Sequence, residues 1–267
     1  DEPFSALDVL TAETLRTDFL DLWIEGRLPT QGMLLVTHNI EEAVLMCDRV
    51  LILAAHPGHI TAQVRIALPH PRDRFSAAFR AVVDEIYAGL TSRFAESLGA
   101  QGGGLGQLLP PVSPNRLNGF LEVLASPSYG GHCELAQIAR TLALKVNELF
   151  PIAAALHVLE FAELRNVSIR LTAAGQLYAA GGTEERKRLF REHLLRFVPL
   201  AAHMRQVLEE RSDHRAPRER FELELQDHLG RDDADRTLRA VTDWGRYAEL
   251  FDYHARSKTY VLSSSGD

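Results

Sequence analysis

The chain opens with two adjacent carboxylates, Asp1 and Glu2, which precede a proline and a short turn. A pair of acids at the end of a strand can do two jobs beside a phosphate group. One carboxylate holds Mg²⁺, directly or through water, and the other orients and activates a water molecule. Acidic pairs are also common on solvated surfaces, so this pair needs support from a second motif.

A histidine supplies that second motif. His38 follows the apolar run 32–37, which is predicted to be a buried strand of a parallel sheet. Polar residues at the C-terminal ends of such strands lie where α/β folds place their chemistry. A lone histidine there is more often structural, and the acidic pair upstream is what favours a functional role for His38.

Two stretches carry a family resemblance: Asp1-Glu2-Pro3-Phe4-Ser5-Ala6-Leu7-Asp8, and Thr37-His38-Asn39-Ile40-Glu41-Glu42-Ala43 followed by Asp48-Arg49-Val50. They resemble the Walker B end with the D-loop, and the H-loop, of ABC transporter ATPases. Further stretches are similar to the nitrate, sulfonate and taurine importer branch: Pro57-Gly58-His59-Ile60, Leu68-Pro69-His70-Pro71-Arg72 and Phe79-Arg80.

The resemblance implies a role for each site residue. Asp1 would hold Mg²⁺, Glu2 would be the general base, and His38 would stabilise the transferring phosphoryl group. Ser5 and Asp8 would pack across a dimer of two ATPase subunits closed around ATP and Mg²⁺. ATP hydrolysis would drive a permease that imports an anion such as nitrate, sulfonate or taurine.

Several motifs of that family do not occur in the sequence. There is no Gly-x-x-x-x-Gly-Lys-Ser/Thr loop to cradle phosphates, no Leu-Ser-Gly-Gly-Gln type signature and no Q-loop. The strand that would carry Asp1 is also missing, and the terminal ammonium would compete with a metal. We therefore expect an ATPase truncated at Walker B, which alone neither binds nor hydrolyses ATP appreciably. Its remaining strands should expose apolar faces.

The elements predicted for residues 1–98 form the α/β C-terminal part of an ABC ATPase (P-loop NTPase) domain. Apolar periodicity predicts helices at 9–25 and 76–98, and strands at 32–37, 48–53 and 61–68. Residues 99–111 are rich in Gly and Pro and are predicted to be a linker. Without a preceding strand and a following Lys-Ser or Lys-Thr, its glycines do not indicate a phosphate loop.

The second half is predicted to be mostly α and winged-helix-like, in tandem, over residues 112–182 and 183–267. The first copy has helices at 133–142 and 146–161, strands at 162–165 and 168–171, and a helix capped by Thr172. The second has helices at 189–211, 217–229 and 233–244, and a hairpin at 247–262. Phe161-Ala162-Glu163-Leu164 and Tyr247-Ala248-Glu249-Leu250 suggest the repeat.

Residues 108–265 resemble the C-terminal AAA-associated domain found on some of these ATPases. The stretches that carry this resemblance are Leu171-Thr172-Ala173-Ala174-Gly175, Glu184 to Phe190, and Asp243 to Tyr253.

DNA binding by this half is disfavoured on chemical grounds. The candidate recognition helix 146–161 contains no arginine, whereas a reading helix presents Arg, Lys, Asn or Gln. The basic run Arg186-Lys187-Arg188 is interleaved with glutamates, as on a solvated helix. Protein interaction or regulation is favoured, and the alternative left open is a stand-alone winged-helix regulatory or DNA-binding protein with a vestigial ATPase remnant.

Composition limits the class of protein and its expected cellular location. The 267 residues carry a net charge of -7, and 46% are hydrophobic, which indicates a soluble globular protein. Cys47 and Cys133 are predicted to be free thiols in a reducing cytoplasm. The histidines His56, His59 and His70 are predicted to lie on the surface without a metal. No apolar run of about eighteen residues spans a bilayer, so the chain would meet the membrane's inner face through a permease.

Overall fold

The computed structural model describes residues 1–54, 58–100, 104–165 and 168–263. Within these residues there are eleven helices and eight strands. The helices are α1 (Val9–Ile24), α2 (Ile40–Met46), α3 (Ala77–Ala100), α4 (Pro114–Ala125), α5 (Leu135–Thr141), α6 (Val146–Val158), α7 (Ala173–Ala180), α8 (Thr183–Phe197), α9 (Pro199–Glu210), α10 (Arg218–Gln226) and α11 (Arg231–Tyr247). The strands are β1 (Arg49–Ala54), β2 (His59–Arg65), β3 (His132–Glu134), β4 (Ala162–Arg165), β5 (Ser168–Leu171), β6 (Arg215–Pro217), β7 (Phe251–His254) and β8 (Thr259–Leu262).

The N-terminal region, residues 1–100, is built on one antiparallel hairpin. β1 pairs with β2 from Arg49↔Arg65 to Ala54↔His59. α2 and α3 pack on the hairpin and complete a small core of eight buried residues: Ile40, Val44, Ile52, Val64, Ile66, Phe79, Val83 and Ile86. The two strands and the helix predicted at 76–98 are therefore present, with shifted ends.

The predicted buried strand at 32–37 is wrong. This segment is irregular, and Leu34 is 85% exposed. A strand needs a neighbour along its length, but the backbone bond described for this segment is a single one, from Glu2 N–H to the Val36 carbonyl (2.7 Å). Leu53 of β1 and Ile60 of β2 are also more than half exposed, so the predicted apolar faces are open.

The predicted linker 99–111 is described only in part. Residues 99 and 100 end α3, residues 101–103 lie outside the described residues, and 104–111 contain no helix or strand. Leu109 is only 4% exposed, and its N–H lies 3.4 Å from the Thr237 hydroxyl. Just beyond, the Val112 carbonyl accepts a 2.7 Å hydrogen bond from the Trp244 indole. The described part of this segment is therefore anchored on α11.

Two groups of elements in the second half have the same order. The first unit runs α4-β3-α5-α6-β4-β5, and the second unit runs α9-β6-α10-α11-β7-β8. Each unit has a three-stranded antiparallel sheet whose central strand is the last of the three in chain order. The strand orders are β3-β5-β4 and β6-β8-β7. β3 and β6, of three residues each, were not predicted, because such short strands leave no periodic pattern.

The repeat has a different register from the one that the sequence suggests. Phe161 N–H bonds to the Leu156 carbonyl, and Leu250 N–H bonds to the Gly245 carbonyl in the same way. Phe161 therefore corresponds to Leu250 and not to Tyr247, which still belongs to α11. The likeness between the two four-residue stretches is local composition, whereas the turn geometry defines the repeat.

The single long helix predicted at 189–211 is also wrong. It is divided into α8 and α9 at Val198, whose φ of -120° and ψ of 92° are extended. Pro199 causes the break, because it lacks an N–H and disfavours helical geometry in the residue before it. The break lets α9 begin as a separate helix, which is the first helix of the second unit.

Both units share one hydrophobic core. The buried residues form a continuous cluster from Leu109 to Tyr260, to which α8 contributes Phe190 and Leu194. The ring of Phe190 packs edge-on against Trp244 and Tyr247 of the second unit and lies 6.2 Å from Phe161 of the first. In the part of the chain that the structure describes, no helix is long and apolar enough to cross a membrane.

Candidate functional site

Glu2 and His38 are in direct contact. Glu2 Oε1 lies 2.5 Å from His38 Nδ1, and the two side chains are 42% and 19% exposed. This hydrogen bond is the main reason why the pKa of Glu2 is lowered, with smaller contributions from the positive charges of His38, Lys145 and the amino terminus. The tertiary fold thus joins the two residues that the sequence singles out as catalytic.

The remaining predicted site residues belong to the turn around Glu2. Asp1 is exposed. The Ser5 hydroxyl donates to the Glu2 carbonyl (3.0 Å), which closes the turn. Asp8 caps α1 by accepting hydrogen bonds from the Thr11 N–H (3.1 Å) and hydroxyl (2.7 Å), and these bonds lower the pKa of Asp8. Glu2 itself has a φ of +43°, an unusual value for a residue with a side chain.

Glu42 is a buried carboxylate that the sequence analysis did not single out, and it contacts the residue before His38. The side chain of Glu42 on α2 is 6% exposed and accepts hydrogen bonds from Arg16 Nε (2.9 Å) and the Thr37 hydroxyl (2.6 Å). Glu42 stands beside Glu41 in the sequence, and only burial distinguishes the two. The contact joins α1 to the loop that carries His38.

Arg72 secures the other end of α2. Its side chain is 1% exposed and donates to the carbonyls of Val44 and Cys47, each at 2.7 Å, and to that of Leu68 at 3.0 Å. A guanidinium beside the last carbonyls of a helix satisfies groups that lack an intrahelical partner. Burial lowers the pKa of Arg72.

The predicted surface histidines are partly corrected. His56 lies outside the described residues, and His59 is exposed on β2. His70 is not a surface residue, since its side chain is 16% exposed and its Nε2 lies 3.8 Å from Asp48 Oδ1. Burial is the first reason why its pKa is lowered. Among the residues described, no three His, Cys, Asp or Glu side chains are grouped to hold a metal ion.

A magnesium site at Asp1 is compatible with that finding. Mg²⁺ is commonly held by one or two carboxylates, with water and substrate phosphates as the other ligands. Asp1 offers a carboxylate that is open to solvent next to Glu2. The donor chemistry at the head of the chain therefore fits a magnesium ion brought in with a phosphate substrate.

The first unit packs on α3 of the N-terminal region. α3 contacts α5, α6 and β4, and its residues Tyr87 and Leu90 pack against both hydrophobic clusters. Arg140 Nη1 lies 3.7 Å from Asp84 Oδ1 across this contact. The positive charge of Lys145, which precedes α6, makes a small contribution to the lowered pKa of Glu2.

The basic run on α8 was predicted to be solvated, and this is wrong for two of its three members. Arg186 donates to the carbonyls of Tyr178 (3.1 Å) and Ala179 (2.8 Å) at the end of α7 and pairs with Glu122 (2.5 Å). Lys187 pairs with Glu249 (2.6 Å). Arg188 pairs within its own helix, with Glu192 (2.7 Å), and Lys187 also lies 3.7 Å from Glu184 of that helix. The run therefore fastens the two units together, which the sequence pattern does not reveal.

Comparison with known families bears on the second half. The family model of the C-terminal AAA-associated domain matches residues 136–254. This stretch begins in α5 and ends with β7, and it includes most of both units. No solved structure matches the chain.

Comparison with curated proteins finds ATP-binding subunits of transporters. The chain is 40% identical over 86 residues to an aliphatic sulfonates import ATP-binding protein of Bacillus licheniformis, which is 32% of each chain. It is 42% identical over 96 residues to another of Pseudomonas syringae pv. tomato, covering 36% of this chain and 34% of that protein. It is 43% identical over 79 residues to an uncharacterized ABC transporter ATP-binding protein of Methanocaldococcus jannaschii, covering 30% and 28%.

The resemblance to ABC-type ATP-binding subunits and to the C-terminal AAA-associated domain is confirmed. The chain combines a segment of an ABC-type ATP-binding subunit, hence part of a P-loop NTPase, with a C-terminal AAA-associated domain. It spans about a third of the length of the curated relatives that it matches.

Proposed function

We propose that this chain is part of the ATP-hydrolysing subunit of an ABC importer for anions such as aliphatic sulfonates, nitrate or taurine. The observation that carries the proposal is the 2.5 Å contact between Glu2 and His38. These residues occupy the Walker B and H-loop positions by resemblance, and a carboxylate bonded to a histidine can orient a water molecule for attack on a phosphate. The sulfonate import names of the relatives support the substrate class.

Each site residue has a proposed role. Asp1 holds Mg²⁺, which neutralises phosphate charge when Mg-ATP is bound. Glu2 orients and activates the attacking water, and His38 keeps the Glu2 carboxylate in place and contacts the reacting phosphate. Ser5 and Asp8 shape the turn after Glu2 and contact a second ATPase subunit.

The proposed assembly is a dimer of ATP-binding subunits bound to membrane-spanning permease subunits at the cytoplasmic face. Residues 1–98 belong to the ATPase domain, and 99–111 connect it to the appended domain at 112–182 and 183–267. The order helix-strand-helix-helix-hairpin, present in both units, supports a tandem winged-helix interpretation. DNA is not a proposed partner, because Arg186 pairs with Glu122 of the first unit and Lys187 pairs with Glu249 of the second.

We test the ATPase role in a chimera, because the chain contains no Walker A loop. The corresponding segment of a complete aliphatic sulfonates import subunit is replaced by residues 1–98. Glu2→Gln and His38→Ala should each reduce the ATP hydrolysis rate by about 10²-fold or more. Glu25→Gln, at an exposed residue paired with Arg27, is the matched control and should leave the rate unchanged. Full activity of the Glu2→Gln chimera would contradict the proposed role.

The isolated chain gives a second test. Calorimetry of the 267-residue chain with Mg-ATP should show no binding in the micromolar range, since the phosphate-cradling loop is not in the sequence. Micromolar affinity would refute this expectation and would require a phosphate site elsewhere in the chain.

The appended domain is proposed to regulate the site in cis. Support comes from the packing of the first unit on α3 and from the ion pair between Arg140 and Asp84 across this contact. In the chimera extended to residue 267, Asp84→Arg should change the hydrolysis rate, and the double variant Asp84→Arg with Arg140→Asp should restore it by re-forming the pair. Equal rates in all three proteins would exclude regulation through this contact.

A further inference from the structure

The contact between Glu2 and His38 needs support from elsewhere in the fold. Both side chains are partly open to solvent, and an exposed pair between two flexible segments contributes little stability by itself. His38 lies at the end of an irregular segment, and Glu2 lies in a turn near the chain terminus. One backbone bond, from the Glu2 N–H to the Val36 carbonyl (2.7 Å), joins the two segments. Other residues must fix the orientation of the two side chains about this single bond.

On the Glu2 side, Arg16 of α1 is the fixed point. Its side chain is 13% exposed, and its guanidinium lies 5.3 Å from the centre of the Phe4 ring, two residues after Glu2. Arg16 also lies 3.2 Å from Glu13 Oε1, to which Arg74 Nη1 binds at 2.7 Å. The charges of Arg16 and Arg74 are thus balanced by those of Glu13 and Glu42. Directional hydrogen bonds hold the Arg16 guanidinium in place.

On the His38 side, the Thr37 hydroxyl is the fixed point. It donates to Glu42 Oε2 (2.6 Å) and accepts from the Asn39 N–H (3.1 Å). The Asn39 side chain in turn accepts from the Glu42 N–H (3.2 Å) and caps α2. His38 therefore stands between two residues that are both bound to Glu42.

We propose that Arg16, Glu42 and the Thr37 hydroxyl are positioning residues that set the distance between Glu2 and His38. The buried Glu42 carboxylate binds Arg16 with one oxygen and Thr37 with the other. It thereby connects the turn after Glu2 with the residue before His38. The catalytic meaning of this positioning rests on the proposed ATPase function, but the positioning can be measured without ATP.

Thr37 offers the cleanest variants. Thr37→Val removes the hydroxyl at nearly constant volume, Thr37→Ser keeps it, and neither changes a charge. Glu42→Gln would leave Arg16 without its buried ionic partner and risks unfolding the region. The Thr37 variants are therefore the primary test, and Arg16→Lys, which keeps the charge but loses the planar fork, is the second.

The experiment records ¹⁵N NMR shifts of the His38 ring at one pH in the full 267-residue chain. Glu2→Ala defines the signals of a histidine without its carboxylate partner. Thr37→Val and Arg16→Lys should move the His38 signals from the wild-type positions toward those of Glu2→Ala, whereas Thr37→Ser should keep them. Backbone spectra of each variant verify that α2 remains folded.

Wild-type His38 signals in folded Thr37→Val and Arg16→Lys proteins would overturn the proposal. Equal displacement in Thr37→Ser and Thr37→Val would also overturn it, because the hydroxyl would then have no special part. If only Thr37→Val loses the α2 backbone signals, that variant is unfolded in this region. The His38 signals of Arg16→Lys then test the proposal. Since no nucleotide is present, an inactive chimera would disprove the ATPase proposal and leave this result standing.

Discussion

Glu160 and Glu249 occupy the same place in the two units, and both have left-handed backbone geometry, with φ of 55° and 53°. Each follows the last turn of its helix, with an N–H bond to the carbonyl of His157 or Arg246. Each precedes the residue that leads into the hairpin. The left-handed residue reverses the chain so that the hairpin folds back on the helix, as a C-terminal cap does.

Replacing the first of these glutamates should stabilise the protein. A residue with a Cβ is strained at this φ and glycine is not, so Glu160→Gly should raise the free energy of unfolding by about 0.5–1 kcal/mol in urea titrations. Glu249→Gly should gain less, because it also loses the contact with Lys187. Glu160→Ala is the control and should bring no gain. Destabilisation by Glu160→Gly would show that the side chain matters more than the backbone.

Two glycines should respond in opposite directions to alanine. A Cβ on Gly175 would lie 1.9 Å from the Phe161 carbonyl oxygen, so helix α7 could not keep its approach to the start of β4. Gly175→Ala should therefore lower the free energy of unfolding by at least about 2–3 kcal/mol. Gly119 of α4 has nothing within 4 Å of its Cβ position, and Gly119→Ala should stabilise by up to about 1 kcal/mol. Thermal melts of both variants decide the matter, and equal shifts would count against the close approach.

A buried hydroxyl connects three helices. The Tyr178 hydroxyl donates to Asn118 Oδ1 (2.6 Å) and lies 3.0 Å from the Tyr247 hydroxyl. Tyr178→Phe should lower the free energy of unfolding by about 1–2 kcal/mol, because the amide oxygen loses a buried donor. Tyr129→Phe removes a hydroxyl whose contact with Thr141 is exposed and should cost less than about 0.5 kcal/mol. If Tyr178→Phe left the free energy of unfolding unchanged, water would have to replace the hydroxyl.

The thiol of Cys133 should make stability depend on alkaline pH. Burial, with a smaller effect of Glu134, raises the pKa of Cys133 from 9.0 to about 11. The unfolded chain therefore releases this proton first, so the contribution is complete below pH 9 and is lost as the pH rises toward 11. The difference in unfolding free energy between wild type and Cys133→Ala should change in this range by at most about 1.4 kcal/mol per pH unit. A constant difference would show that Cys133 is open to solvent.

Arg72 should not tolerate lysine. Its guanidinium binds three backbone carbonyls with two different nitrogens, Nε and Nη1, and a single ammonium cannot reproduce that geometry. Arg72→Lys should lower the free energy of unfolding by about 1–3 kcal/mol, since buried carbonyls lose their donors. Arg74→Lys, at a side chain that is 30% exposed, should cost under about 1 kcal/mol. Similar losses in both variants would argue against a special role for burial at Arg72.

Local sequence was sufficient for the motifs and for most elements. The octet from Asp1 to Asp8 and the stretch after Thr37 identified the class of protein, and the comparisons agree. The N-caps Asp8, Asn39 and Thr172 start α1, α2 and α7, because a cap depends on residues that are neighbours in the chain. Pro199 was not interpreted as a break, because the apolar periodicity continues across it and favoured a single helix over 189–211.

Only the tertiary structure decided which polar residues meet. Glu41 and Glu42 are alike in sequence, yet packing buries Glu42 between Arg16 and Thr37. Arg186 and Arg188 belong to one basic run, yet only Arg186 reaches the carbonyls at the end of α7. The sequence by itself predicted the candidate site residues and the kind of most elements. The tertiary structure decided that 32–37 does not form a strand, and it decided the register of the repeat and the buried ion pairs. These features depend on partners that are distant in the chain.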